Sequence, residues 1–247
     1  WTTNFSDRFF LVKLADATEV GLYSVGVRIA SAMVLLLTAF RLAWPAFAYS
    51  IEDDDEARRT YAFVLTYLTV LASWTALGLG LLSPWLVELL AADAFAPASR
   101  VVAPLAFAAV AFGAYIVIAI GLGRARRTQF NWAVTGVAAG VNAALNLLLI
   151  PPYGMTGAAA ATVAAYVTMA GGMAWWSQRV YPVPYQWRRV GTAAGAAVAL
   201  VGAGKLLDLG LALSLLAVLA YPLALGVLGF YLPAERRAIG SRLRLAR

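Results

Sequence analysis

The sequence contains no cysteine and no histidine. Without cysteine there are no disulfides and no thiolate chemistry. Without histidine there is no imidazole base, no His-ligated zinc and no Ser-His-Asp triad. Charge is also scarce, with 13% of residues being Asp, Glu, Lys or Arg, about half of the ~25% usual in soluble domains. Hydrophobic residues instead fill 62% of the 247 positions, and the mean hydropathy is +0.78. They come in long runs, so hydrocarbon is the expected solvent. A soluble enzyme, a nucleic-acid-binding domain and a disordered chain are excluded. The net charge of +7 does not bring nucleic acid back as a partner, because the basic residues lie between the apolar runs, as in membrane proteins.

A membrane-spanning helix needs ~20 apolar residues. The runs Gly21–Ser50, Thr60–Leu82, Arg100–Leu122, Phe130–Ile150, Thr156–Gln178, Val190–Leu207 and Leu211–Leu232 meet that length approximately. The expected fold is an all-α polytopic membrane protein with about seven transmembrane helices. Residues 1–20 read as the end of a truncated helix and an outer loop, residues 21–178 as a five-helix transporter lobe, and residues 179–247 as an accessory helix pair with a basic tail. The first residue is Trp, and the chain reads as a piece whose upstream part is missing. Pro151-Pro152-Tyr153-Gly154 is expected to end one helix and start the next, and Pro222 to kink the last.

Lys and Arg give the orientation. One set of loops holds Arg58, Arg59, Arg124, Arg126, Arg127, Arg179, Arg188, Arg189 and the arginines from Arg236 onward. The opposite set holds only Arg8, Lys13, Arg100 and Lys205. By the positive-inside rule the C-terminus is expected in the cytoplasm and residues 1–20 outside. The aromatic residues near span ends, Trp44 and Trp85 among them, read as anchors at the headgroup level.

Polar residues inside the spans carry the functional signal, since each costs free energy unless it finds a partner or water. The first span holds Arg28 and Arg41. They read either as side chains snorkelling to the interfaces or as cations facing a water-filled cavity, where a guanidinium suits phosphate. The fourth span places Asn131, Thr135, Asn142 and Asn146 along one face and Gly136, Gly140 and Ala144 along the opposite one. The asparagines read either as bonds to neighbouring helices or as the wall of a cavity, and the small residues as a close helix contact. Thr66, Thr69 and Ser73 are a weak signal, because hydroxyls bond their own backbone. The last two spans, nearly free of interior polar groups, are expected to be peripheral and lipid-facing. Asp7, Asp16, Glu19, Glu88, Asp93 and Asp208 are single and scattered and read as solvated loop charge. No catalytic set emerges, so the chain is expected not to be an enzyme and to need no cofactor or bound metal.

The stretches Asp7-Arg8-Phe9-Phe10-Leu11, Val20-Gly21-Leu22-Tyr23-Ser24 and Ala39-Phe40-Arg41-Leu42-Ala43-Trp44-Pro45 resemble the second lobe of prokaryotic oligosaccharide flippases. These are polysaccharide biosynthesis proteins of the multidrug/oligosaccharidyl-lipid/polysaccharide exporter superfamily. Asn142…Asn146…Ile150-Pro151 followed by Tyr153-Gly154-Met155-Thr156-Gly157 resembles a second hallmark. The resemblance implies the second six-helix lobe, plus two extra C-terminal helices, of a two-lobe exporter with a central cationic cavity. It implies movement of a polyprenyl-(pyro)phosphate-linked oligosaccharide across the cell membrane of a prokaryote by alternating access. The partners implied are that lipid-linked oligosaccharide, membrane lipids, the N-terminal lobe and a possible Na+ or H+ for coupling. Arg28, Arg41, Asn142 and Asn146 are the candidate substrate-binding residues, the arginines for phosphate and the amides for sugar hydroxyls. Alternatives are a multidrug or cation exporter, which wants an acid deep in the lobe that no span supplies; a membrane-embedded glycan ligase or polymerase, which wants a longer outer loop; and a structural membrane subunit.

Overall fold

A computed structural model describes residues 2–232 and 235. The regular elements among them are helical: α1 (Thr2–Leu14), α2 (Ala17–Ala30), α3 (Ala32–Ser50), α4 (Asp54–Leu90), a 3-10 segment (Asp93–Ala98), α5 (Ser99–Arg124), α6 (Gln129–Val180), α7 (Trp187–Leu206) and α8 (Leu211–Val227). Four stretches are long and apolar enough to cross a membrane: Ala32–Ser50, Asp54–Leu90, Asp93–Arg124 and Gln129–Val180. Together with the shorter apolar helices they form an all-α polytopic membrane protein.

The first span divides at Ser31 into α2 and α3, where the backbone stays right-handed helical (φ −64°, ψ −14°) and the Ser31 N–H still donates to the Val27 carbonyl. The Ser31 hydroxyl donates to the Arg28 carbonyl, an alternative bond that Ser offers the backbone inside a helix. The 52-residue α6 is a hairpin. At Gly154 the backbone takes φ 53° and ψ −132°, a region that glycine enters without steric cost. Phe130 stacks on Trp176 with ring centroids 4.1 Å apart, and Val134 touches Gly172. The two halves therefore run antiparallel about the Pro151-Pro152-Tyr153-Gly154 elbow, as its turn chemistry predicts. An added Cβ at Gly157 would lie 2.2 Å from the Leu149 carbonyl oxygen, so the first turn after the elbow must be side-chain-free there.

The lobe has two distinct ends. At the arginine-rich end, Arg124 closes α5 by donating to Asp54 and to the carbonyls of Ile51 and Glu52. It satisfies oxygens left over where α3 stops. At the arginine-poor end, α2 meets the elbow of α6, and Phe95 lies against Gly21. This alternation of ends agrees with the parity read from the loop charges. The arginines from Arg236 onward lie outside the described residues.

The accessory pair is not merely peripheral. A core of Leu77, Leu81, Val201, Tyr221 and Leu225 joins α4 to α7 and α8. Trp74 Nε1–H donates to the Val218 carbonyl at 2.7 Å, and the Tyr221 hydroxyl to the Ala193 carbonyl at 2.9 Å. Arg189, read as loop charge, is buried. It pairs with Glu235 at 2.8 Å and lies over the Phe230 ring. Tyr67 of α4 donates to the same carboxylate, so Glu235 ties α7 to α4. The Leu232 N–H and Arg189 also donate to Glu235. Burial pushes this carboxyl up, but the hydrogen bonds from Tyr67, Leu232 and Arg189 outweigh it and hold the group below its ordinary range.

The small-residue face of the fourth predicted span is a correction. Gly136 and Gly140 have nothing within 4 Å of an added Cβ. That face is exposed and makes no close helix contact among the described residues.

Candidate functional site

The fold assembles its most polar buried cluster around Asp7, at the middle of α1. Its carboxylate is fully buried. Oδ2 accepts from the Tyr23 hydroxyl of α2 at 2.8 Å and from Thr162 Oγ1 at 2.6 Å. Oδ1 accepts from Asn146 Nδ2 at 2.7 Å and from Asn142 Nδ2 at 3.2 Å. Asn142 Oδ1 in turn accepts from Ser6 Oγ and from Asn146 Nδ2. Asn142 and Asn146 belong to the first arm of the α6 hairpin and Thr162 to the second, so the hairpin closes on Asp7 from two sides while α2 closes the third.

Local sequence explains why these groups meet. Asn142 and Asn146 are one helical turn apart and share a face. The reversal at Gly154 brings Thr162 back beside them. The apolar wall is supplied by Leu11, Leu22, Ile150, Met155, Ala158 and Ala159, where the alanines leave room for the polar groups.

An ionised carboxylate in such a place loses its hydration at a cost of several kcal/mol. Hydrogen bonds to a charged group return about 1.5–3 kcal/mol each, so four donors make the burial tolerable. The charge itself stays uncompensated by protein. The ion pairs among the described residues are Arg58–Asp55, Arg124–Asp54 and Arg189–Glu235, and none involves Asp7. Asn146 Oδ1 is buried beside it with no hydrogen-bond partner. The cluster thus combines a buried carboxylate that has no ion-pair partner among the described residues with a buried acceptor that has no donor.

These observations correct the reading of the outer acids. Asp7 is not solvated loop charge, and the lobe does hold an acid in its interior. Glu19 is also engaged: its carboxylate accepts from the Met155 N–H at 2.6 Å. The polar stripe of the first arm divides. Asn142 and Asn146 are buried and committed to Asp7, whereas Thr135 is exposed and Asn131 only half-buried. The asparagines therefore bond neighbouring helices, one of the two readings open from sequence, and in this conformation they contact no open passage. The signal for the cluster was present in their spacing. Nothing local marked Asp7 as their partner, because it lies more than 130 positions away.

Arg28 and Arg41 behave oppositely. Both are exposed, and neither guanidinium has a hydrogen-bond or ion-pair partner among the described residues. At ~1.5 Å per residue, Arg28 lies about 10 Å, or two turns, past Gly21, where the apolar run begins. Ser31 and Thr38 are exposed as well. The structure does not bring these arginines to the Asp7 cluster. They are two separate exposed cations, one on α2 and one on α3. Thr66 and Thr69 donate to the carbonyls four residues before them, which accounts for those hydroxyls locally.

Residues 1–100 match the family model described as polysaccharide biosynthesis protein. The chain is similar to that family over this segment, which is about two fifths of its length. The match supports a membrane-associated role in polysaccharide biosynthesis. The family segment contains Asp7, Glu19, Tyr23, Arg28 and Arg41, while the α6 hairpin that completes the cluster lies beyond it. No curated protein matches the chain.

Proposed function

We propose that the chain is one lobe of a flippase. It moves a polyprenyl-(pyro)phosphate-linked oligosaccharide across a prokaryotic cell membrane by alternating access, with Na+ or H+ exchange at Asp7 coupling the cycle. The reading is of a transporter rather than an enzyme. The observation that carries it is that Arg28 and Arg41, both inside the first span, are exposed and have no hydrogen-bond or ion-pair partner among the described residues. An arginine near the helix centre costs ~2.5–3.5 kcal/mol on insertion scales, and such residues almost always face a bundle interior or water. A hydrated face shared with a second lobe of the same protein meets that requirement, and its planar donors suit a phosphate diester. By the positive-inside rule, the loop arginines support a cytoplasmic side for the arginine-rich end and a cytoplasmic C-terminus.

Asp7 gives the cycle a place for the coupling ion. Beside the Nδ2 groups of Asn142 and Asn146 that donate to Asp7, the acceptors in its surroundings are all oxygens: its own carboxylate, the carboxamide oxygens of Asn142 and Asn146, and the hydroxyls of Thr162 and Tyr23. Oxygen donors with a single formal negative charge suit a hard monovalent cation or a proton better than a divalent ion. Occupancy there changes how tightly α1, α2 and α6 are drawn together, and differential affinity for two lobe arrangements is what an ion needs in order to bias a cycle.

The experiment is to replace Arg28 and Arg41 with Gln, singly and together, in the full chain with its partner lobe. Surface glycan export and retention of the lipid-linked substrate are the readouts. Both are expected to fall, and unchanged values reject the proposal. The buried Asp7 also supplies the deep acid that a cation exporter wants, so this second reading is kept. It predicts transport of lipophilic cations that Arg28→Gln leaves intact and Asp7→Asn abolishes.

A further inference from the structure

The coupling reading raises the question of what shuts the Asp7 cluster off from the arginine-poor end, and Glu19 answers it. Asp16 caps α2, its Oδ1 accepting from the Glu19 N–H at 2.8 Å. An Asp-x-x-Glu sequence of this kind normally turns the glutamate back onto its own helix start. Here the carboxylate leaves α2 and caps the second arm of α6 at Met155 N–H instead. An added Cβ on Gly154 would lie 2.5 Å from Glu19 Oε2, so the elbow needs glycine both for its positive φ and to admit this carboxylate.

One helical turn further on, Tyr23 continues the same face of α2 and donates to Asp7. On α6, the turns after Met155 carry Ala158 and Ala159, both fully buried, and then Thr162. Glu19 thus joins, at the rim, the two helices that close over Asp7 from within. Separating α2 from the elbow uncovers the cluster, and the Glu19 bond opposes that separation. Pro151, Pro152 and Tyr153 are exposed, so the outer side of this joint is open.

We propose that Glu19 is the latch on the outer route to Asp7, a positioning residue that sets how often the cluster meets the aqueous phase without belonging to the ion's own ligands. This rests on Asp7 as the coupling site. The chain's lack of cysteine makes the test clean. Ala158→Cys places a single thiol between the latch and Thr162, and a charged, membrane-impermeant thiosulfonate is applied to the full chain in vesicles. The A158C thiol is expected to react slowly, and the E19A/A158C thiol about tenfold faster or more, the loss of one charge-assisted hydrogen bond. E19Q/A158C, which keeps an acceptor oxygen without the charge, is expected between them. A reaction rate in E19A/A158C equal to that of A158C overturns the latch, and if E19A/A158C does not fold, E19Q/A158C decides by the same comparison. Sodium binding measured in parallel separates the two claims. E19A is expected to keep it and D7N to lose it. Sodium indifference of both, with the thiol still governed by Glu19, removes the coupling ion and leaves the latch. Loss of sodium binding in E19A makes Glu19 a ligand and overturns the positioning role.

Discussion

Asp7 on one hand and Arg28 and Arg41 on the other are all charges placed among apolar helices, and the fold treats them in opposite ways. Asp7 is enclosed by donors from α2 and both arms of α6. Arg28 and Arg41 are exposed on α2 and α3 with no hydrogen-bond or ion-pair partner among the described residues. The contrast shows that a charge in a span has two stable outcomes. Either the lobe itself supplies the hydrogen bonds, and the group becomes part of the internal machinery, or the lobe withholds them, and the group belongs to whatever lies against that face.

Stability and binding measurements can break this contrast. The largest effect is expected for Asp7→Asn. It removes the only formal charge of the cluster, so affinity for Na+ should fall by about 100-fold or more, the equivalent of about 3 kcal/mol, as read by radiolabelled Na+ binding. A cation affinity that survives would make Asp7 purely structural. Next comes Asn146→Ala, which deprives Asp7 Oδ1 of its shorter bond. A cost of about 2–4 kcal/mol is expected in denaturant or thermal unfolding, because a buried charge is left less satisfied. Arg28→Gln in the same assay should stay within about 0.5 kcal/mol. If the two variants lost similar stability, the distinction between enclosed and exposed charge would disappear.

Glu235→Gln falls between these cases, since the clamp on Arg189 is only partly buried. It is expected to cost about 1–3 kcal/mol. The carboxyl is held below its ordinary range in the fold. Its contribution is therefore fully present above the unfolded-state value of ~4.3 and is lost as the pH falls through the lower folded-state value. Unfolding temperature followed from pH 7 downward should show the wild type losing this contribution only in acid, while the Gln variant shows no such step.

The smallest expected effect is at Gly140, and Gly154 is its control. Gly140→Ala meets open space and should leave the stability of the chain within about 0.5 kcal/mol. Gly154→Ala should cost about 1–3 kcal/mol through its positive φ alone, and more through contact with Glu19. Equal costs at the two sites would mean that the outer face of α6 is already packed against another helix in the membrane.

Much of this architecture was legible before any coordinates. Helix length, the elbow at Pro151 to Gly154, the alternating ends and the shared face of Asn142 and Asn146 follow from hydropathy, turn chemistry and helical period, all of which act over a few residues. The division at Ser31 escaped notice because a single serine in an apolar run carries little signal. The small residues of the first α6 arm matched a packing motif, but a motif says only that close approach is possible, not that a helix arrives. Arg189 looked like loop charge because its partner, Glu235, lies 46 residues downstream.

The sequence by itself determined that the chain lives in a membrane, how it is cut into helices, and which side chains are too polar for hydrocarbon, since these depend on composition and local spacing. Tertiary structure alone decided which polar groups are enclosed and which are left open. The cost of a buried charge is set by the donors around it, and those of Asp7 are drawn from α2 and from both arms of a hairpin remote in the chain.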